Sequence, residues 1–241
     1  MLKLILLQGA KMKNVMILSG AGLSAPSGLR TFRDSNGLWE EYDVMEVCSA
    51  TGFRKNPQKV LDFYDARRAQ LQHVKPNKAH QIIAKLKKHY KENLFVVTQN
   101  VDDLLERAGC EEVIHLHGFL PELRCLECGE IFNINYESIL GKICPRCKSK
   151  NLRHNIIMFE EQAPAYVTLY ELLNRTNLFI SIGTSGQVLP VGHYARMCEK
   201  SILNIMEKDE YLEQFFDKIY IENVLDAMDK IANDIKEFMD V

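Results

Sequence analysis

Residues 15–28 read VMILSGAGLSAPSG, an apolar run that passes straight into small residues. A short continuous apolar run suits a strand buried on both faces, as in a parallel sheet. Gly20 and Gly22 then let the backbone turn tightly and approach a pyrophosphate at a helix N-terminus. Ala25 fills the third place of a G-x-G-x-x-G/A pattern, yet no second strand ending in an acid follows about twenty residues on. The chain instead enters RTFRDSNGLWEEY, a polar and aromatic loop, which argues against a plain hydride-transfer dehydrogenase.

Similar runs recur outward from this stretch: LFVVTQN at 94–100, VIHLHG at 113–118, LFISIGTS at 178–185 and ILNI at 202–205. Helical patterns lie between several of them. Asn56 with Pro57, and Asn77 after Pro76, read as a cap with proline at the first helical position and as a second cap. PAYVTLYELLN and VLDAMDKIANDIKEF are helical too. Strands alternating with helices predict an α/β fold, a doubly wound, Rossmann-like parallel sheet. Two segments interrupt the alternation, residues 43–75 with helix alone and residues 119–157 with a Cys-rich ribbon. The expected large domain is therefore 1–42, 76–118 and 158–241, with the helical module and the ribbon forming a small domain beside a cleft.

FYDARRAQL, residues 63–71, sits in the helical module. At about 100° per residue, Val60, Phe63, Tyr64 and Leu71 share a stripe and Arg67 falls between Phe63 and Leu71. Arg67 needs an anionic partner, either an acidic residue elsewhere in the chain or a ligand. Arg68, at the edge of the stripe, is expected to snorkel to water.

With 46% apolar residues in 241, the chain buries a full core, and a formal charge of −2 gives no global field favouring nucleic acid or an anionic membrane. No apolar run approaches the eighteen or so residues of a membrane span, so a cytoplasmic chain with no membrane partner is expected. Met12 begins a run leading directly into the first strand, and residues 1–11 read as an extension without function. The oligomeric state is not readable; a monomer is the working expectation. Among seven cysteines, CLEC and CPRC place Cys125, Cys128, Cys144 and Cys147 in two C-x2-C pairs. Two such knuckles aim four thiolates at one tetrahedral zinc, a filled shell that makes the metal structural. Cys48, Cys110 and Cys198 read as buried apolar residues rather than nucleophiles.

TQNVDD, HLHG and GTSGQVLP all fall at carboxyl ends of predicted parallel strands, the edge where such sheets bind ligands. His117, at that edge beside Gly118, reads as functional rather than as a core histidine. Taken in order, GAGLSAPSGLRTFR, TQNVD, HLHG, the paired knuckles and GTSGQVLP resemble the sirtuins, NAD-dependent protein-lysine deacylases, from about residue 13 to 205. The resemblance implies NAD as co-substrate, one structural zinc and an acyl-lysine peptide in the cleft. It assigns Gly20, Ala21, Gly22, Ser24, Phe32 and Arg33 to the phosphates and riboses of NAD. Gln99 and Asn100 would hold the ribose at the reacting carbon, Val101 and Asp102 the carboxamide, and Gly183, Thr184 and Ser185, with Asn204, the adenosine side. His117 would be the general base for moving the acyl group to ADP-ribose as nicotinamide leaves.

Tyr64 and Arg67 match a Tyr-x-x-Arg pair of the family's desuccinylase-like branch, so the implied substrates are succinyl- and malonyl-lysine, and acetyl-lysine less specifically. A guanidinium fork and a phenol suit the carboxylate of such acyl groups. Arg30 stands where many members have proline, and Glu160 departs from a usual Phe-Gly-Glu. The other readings are ADP-ribosyl transfer to protein and a non-catalytic NAD-sensing module. The mildly basic KSKNLRH makes nucleic acid an unlikely partner.

Overall fold

The protein is seen as a computed structural model that describes residues 13–29, 38–39 and 42–240. Residues 1–11, read above as an extension, and Arg30, Phe32 and Arg33 lie outside the described residues. From strand β1 (Val15–Ser19) the chain makes two 3-10 turns, Ala21–Leu23 and Ala25–Ser27, and a hairpin of β2 (Leu38–Trp39) and β3 (Tyr42–Asp43). Helices α1 (Val44–Val47), α2 (Ala50–Lys55), α3 (Pro57–Leu71) and α4 (Lys78–Tyr90) follow, then β4 (Leu94–Thr98), α5 (Leu104–Arg107) and β5 (Val113–His115). Strands β6 (Gly118–Cys125), β7 (Ile131–Asn133) and β8 (Leu152–Ile156) form the ribbon that carries the cysteine knuckles. The chain then runs through α6 (Ala165–Leu173), β9 (Leu178–Ile182), α7 (Val191–Met197), β10 (Lys200–Ile205), α8 (Glu210–Glu213), β11 (Lys218–Ile221) and α9 (Val224–Asp240).

Six strands make one parallel sheet in the order β11-β10-β9-β1-β4-β5. Every residue of β1, β4 and β9 is buried, which is why their sequences are continuously apolar rather than alternating. On one face Val15 and Ile17 of β1 join Ile83 of α4 and Met228, Ile231 and Ile235 of α9. On the other, Met16 and Leu18 join Leu169 and Leu173 of α6 and Val191 and Tyr194 of α7. The sheet is thus covered on both sides, as the alternating elements predict. β11 has no counterpart in the sequence reading: it is a four-residue edge strand, paired on one side only and nowhere fully buried. Among the described residues no helix is long and apolar enough to cross a membrane.

The caps form as read. Asn56 accepts from the Lys59 amide ahead of Pro57, and Asn77 accepts from the amides of Ala79 and His80. The His80 ring returns the favour, its Nδ1 accepting from the Asn77 amide at 3.2 Å.

In α3 the expected stripe of Val60, Phe63, Tyr64, Arg67 and Leu71 is buried, but Arg68 is buried with it. The expectation that Arg68 faces water is wrong: its side chain is fully enclosed, because the ribbon covers the flank that the helix alone would leave open. Its Nε donates to the Leu120 carbonyl at 2.8 Å, and its Nη atoms donate to the carbonyls of Glu137 (3.2 Å) and Glu122 (3.3 Å) and to Asp65 (3.3 Å). Burial pulls the guanidinium down to about 10, with Asp65 opposing, so it stays charged at neutral pH. For Asp65, hydrogen bonds from His154, Ser138 and the Ile139 amide outweigh burial and hold the carboxyl below its ordinary value. Arg68→Ala strands three ribbon carbonyls and is expected to cost about 3–5 kcal/mol in urea unfolding. A loss below about 1 kcal/mol would mean that water replaces the guanidinium without penalty.

Candidate active site at the carboxyl edge of the sheet

β1 lies between β4 and β9, so the loops leaving these three strands meet at the sheet's carboxyl edge. The first and third are in backbone contact. The Gly22 amide donates to the Gly183 carbonyl at 2.9 Å, and a Cβ on Gly22 would sit 2.6 Å from the Gly183 Cα. Gly183 itself has φ +60°. The glycines read as room for a pyrophosphate therefore also make room for each other. Thr184, next to Gly183, accepts from the Gln99 side chain at 3.0 Å and so ties in the loop after β4. Ala21 begins the first 3-10 turn, and Ser185 accepts weakly from the Gln187 amide at 3.5 Å.

Ser24 binds the loops chemically. Its hydroxyl donates to Asp102 Oδ2 at 2.9 Å and accepts from the Asn100 side-chain Nδ2 at 3.1 Å. His80 Nε2 lies 3.3 Å from the same oxygen. Because His80 Nδ1 accepts from the Asn77 amide, the ring proton must sit on Nε2, which donates to Ser24. The hydroxyl then has one donor and two acceptor places, all used. Burial pushes His80 down to about 4, so this ring is neutral at any working pH. Burial also raises Asp102, against the Leu104 amide and the Ser24 hydroxyl.

His117 occupies the short turn by which the chain leaves β5 and enters the ribbon. Gly118 makes that turn possible: its φ is +90°, and a Cβ there would come 2.1 Å from the Asn155 carbonyl oxygen. His117 Nδ1 faces the Gln99 carbonyl at 3.1 Å, which can only accept. The proton is therefore on Nδ1, and Nε2 carries a lone pair, met by the Tyr166 hydroxyl at 3.0 Å. Burial holds this histidine below its ordinary value, and the Gln99 carbonyl opposes that only in part. His115 is the opposite case. Both its nitrogens face acceptors, the Asn100 carbonyl at 2.8 Å and Glu106 at 2.7 Å. Burial lowers it, but Glu106 and the carbonyl more than offset this and raise it, so an imidazolium holds the backbone of Asn100.

The remaining expected residues are spread around this centre. Val101 accepts at its carbonyl from the Leu120 amide, and its side chain packs against an apolar cluster that includes Val60 and Phe63 of α3 and Leu104 of α5. Asn204 is buried in β10 and spends both amide hydrogens on the carbonyls of Tyr220 and Glu222. Tyr64 and Arg67 are buried on one face of α3, and both favour the thiolate form of Cys48. Burial still pushes Cys48 up to about 12, which fits an inert thiol. Arg67 Nη1 also donates to Gln70 Oε1 at 2.8 Å. Glu160, the residue that departs from the Phe-Gly-Glu pattern noted above, adopts φ +72° and folds its carboxylate onto the Thr51 amide (2.9 Å) and hydroxyl (2.7 Å). This is the left-handed conformation that favours glycine, and hydrogen bonds to α2 offset its strain.

The four cysteines expected to bind zinc come together with all Sγ atoms within 4.8 Å of one another. Cys125 and Cys147 Sγ are 3.5 Å apart and Cys128 and Cys144 Sγ 3.6 Å. A tetrahedron of thiolates about 2.3 Å from zinc has edges of about 3.8 Å, so the set fits a structural zinc. His80, His115 and Tyr166 were not anticipated as parts of the site. His80 stands at the third helical position after Asn77, a place from which a side chain can reach back to its cap, but nothing in the linear pattern joins it to Ser24.

The sequence model of the Sir2 family matches residues 20–190. The chain is 78% identical to the NAD-dependent protein deacylase of Campylobacter jejuni (strain RM1221) over 228 residues, which covers 95% of this chain and 98% of that protein. A crystal structure of a Sir2 homologue in complex with NAD superimposes with a TM-score of 0.81 at 32% identity, covering 94% of this chain and 91% of that one. A Sir2 enzyme bound to a propionylated peptide superimposes at 0.74 and 26% identity, with 92% of each chain covered.

The purified chain is expected to carry one zinc by atomic emission. Cys144→Ser should lose that zinc and lower the thermal midpoint by roughly 10 °C or more. Unchanged melting after metal loss would show that the ribbon stands without it.

Proposed function

The chain belongs to the Sir2 family, and from that premise we propose that it is an NAD-dependent protein-lysine deacylase that prefers succinyl- and malonyl-lysine. One observation carries the reading: His117 presents an unprotonated Nε2 beside three loops locked together by Ser24, Gln99 and the glycine contact. NAD, when bound, supplies a ribose carbon that loses nicotinamide and a sugar hydroxyl that receives the acyl group. The protein's part is to hold and deprotonate.

The small residues Gly20, Ala21, Gly22 and Gly183–Ser185 leave room for the phosphates and the adenosine side, the amides of Gly20, Gly22 and Gly183 themselves being spent on the carbonyls of Ile182, Gly183 and Asn204, with Phe32 and Arg33 following in the chain. Gln99, Asn100 and Asp102 are already oriented for the ribose and the carboxamide by hydrogen bonds to Thr184 and Ser24. His117 is the general base. Its Nδ1–H rests on the Gln99 carbonyl, which steadies the imidazolium once Nε2 takes the sugar proton. The acyl-lysine peptide would lie between the sheet edge and the module of residues 43–75 and 119–157, against the loop that Glu160 pins to α2. Tyr64 and Arg67 on α3 supply a phenol and a guanidinium for a terminal carboxylate, which an acetyl group lacks. Reduced thiols at a zinc-type site suit a cytoplasmic enzyme.

Turnover of acetyl-, malonyl- and succinyl-lysine peptides followed by mass spectrometry, with and without NAD, tests the reading. His117→Ala should lose about a hundredfold or more on every substrate while keeping the fold. Arg67→Met should lose about a hundredfold on succinyl-lysine and only a few-fold on acetyl-lysine, as expected for two charge-assisted hydrogen bonds. Equal losses on both would make Arg67 a purely structural cation, and ADP-ribose added to the peptide would favour ADP-ribosyl transfer instead.

A further inference from the structure

Tyr166 lies on the first turn of α6, its ring packed against the apolar cluster that Leu169 and Leu173 anchor. Its hydroxyl reaches out of that cluster to His117 Nε2 at 3.0 Å, with ring centroids 6.1 Å apart. His117 is thereby held at both nitrogens, Nδ1 by the Gln99 carbonyl and Nε2 by a phenol. Since Nδ1 keeps the proton, Tyr166 is the donor and the lone pair of the base is the acceptor. We propose that Tyr166 is a positioning residue for His117: it clamps the imidazole in the one tautomer able to act as base, and yields its place at Nε2 to the substrate hydroxyl. The proposal rests on His117 being the general base.

The clamp has a chemical signature. A donor bonded to neutral Nε2 must be given up when that nitrogen is protonated, so the contact disfavours the imidazolium and helps to keep the base free at lower pH. Burial acts in the same direction. The ionisable groups on neighbouring elements face elsewhere. Asp102, in the loop after β4, is turned to Ser24 and the Leu104 amide, and His115, at the end of β5, is paired with Glu106 of α5. Tyr170, one turn along α6, contacts Tyr194 of α7. Tyr166 is thus the one titratable side chain that hydrogen-bonds the His117 ring among the described residues.

Ring nitrogen signals followed by NMR in the substrate-free protein, assigned by their loss in His117→Ala, give the tautomer and titration of His117 without turnover. The wild-type ring should show the proton on Nδ1. Tyr166→Phe and Tyr166→Met should each raise the titration midpoint by about half to one pH unit. The acid limb of kcat/KM for NAD-dependent deacylation should move up by the same amount, a three- to tenfold loss at pH values below it. A midpoint that coincides with wild type in both variants overturns the proposal. A shifted midpoint in a protein that removes no acyl group from any peptide would leave the clamp standing and overturn the deacylase reading instead.

Discussion

The edge of the sheet is organised by two backbones that touch. Gly22 and Gly183 approach so closely that neither position has room for a Cβ, and the amide of one meets the carbonyl of the other. Because β1 and β9 are neighbours in register, Val15 opposite Leu178, this contact continues the sheet's own hydrogen bonding past the strand ends. The loop after β4 is then added by side chains, Gln99 to Thr184 and Asn100 to Ser24. A site assembled in this way is largely formed before any ligand arrives, so less of the binding free energy goes into ordering loops.

Protonation states in this edge are settled by geometry as much as by burial. Three histidines within one neighbourhood are pushed to different conditions. His80 is kept neutral with its proton on Nε2, His117 neutral with its proton on Nδ1, and His115 charged between a carboxylate and a carbonyl. The charge of His115 supports the Asn100 backbone while pH lies below its raised value, and fades as pH rises through it. His117, with a carbonyl on one nitrogen and a phenol on the other, has no such anionic partner among the described residues. Neighbouring groups with separated proton affinities are what acid–base work in one small volume requires.

Much of this architecture was legible in the chain. Doubly wound strands, both asparagine caps, the clustered thiols and the convergence of the GAG, TQN, HLHG and GTS segments all follow from local pattern and strand-end position. What was not legible depends on neighbours distant in sequence. Arg68 looked like a snorkelling residue because helix periodicity describes one face, and only the docking of β6 closes the second. Tyr166 stood in the sequence only as one residue of the helical run PAYVTLYELLN, since nothing near it announces His117, forty-nine residues earlier. β11 was missed because an edge strand lacks the double burial that marked the others.

The buried Arg68 gives the metal knuckles a reach beyond their own ribbon. Its guanidinium is solvated by carbonyls of β6 and of the segment after β7, the same short strands that the four thiolates hold in place. If the ribbon loosens, a cation within the helical module loses the peptide dipoles that stand in for its water. Ribbon and α3 therefore behave as one cooperative unit, and the face of that helix bearing Tyr64 and Arg67 inherits its rigidity from a metal that takes no part in the chemistry.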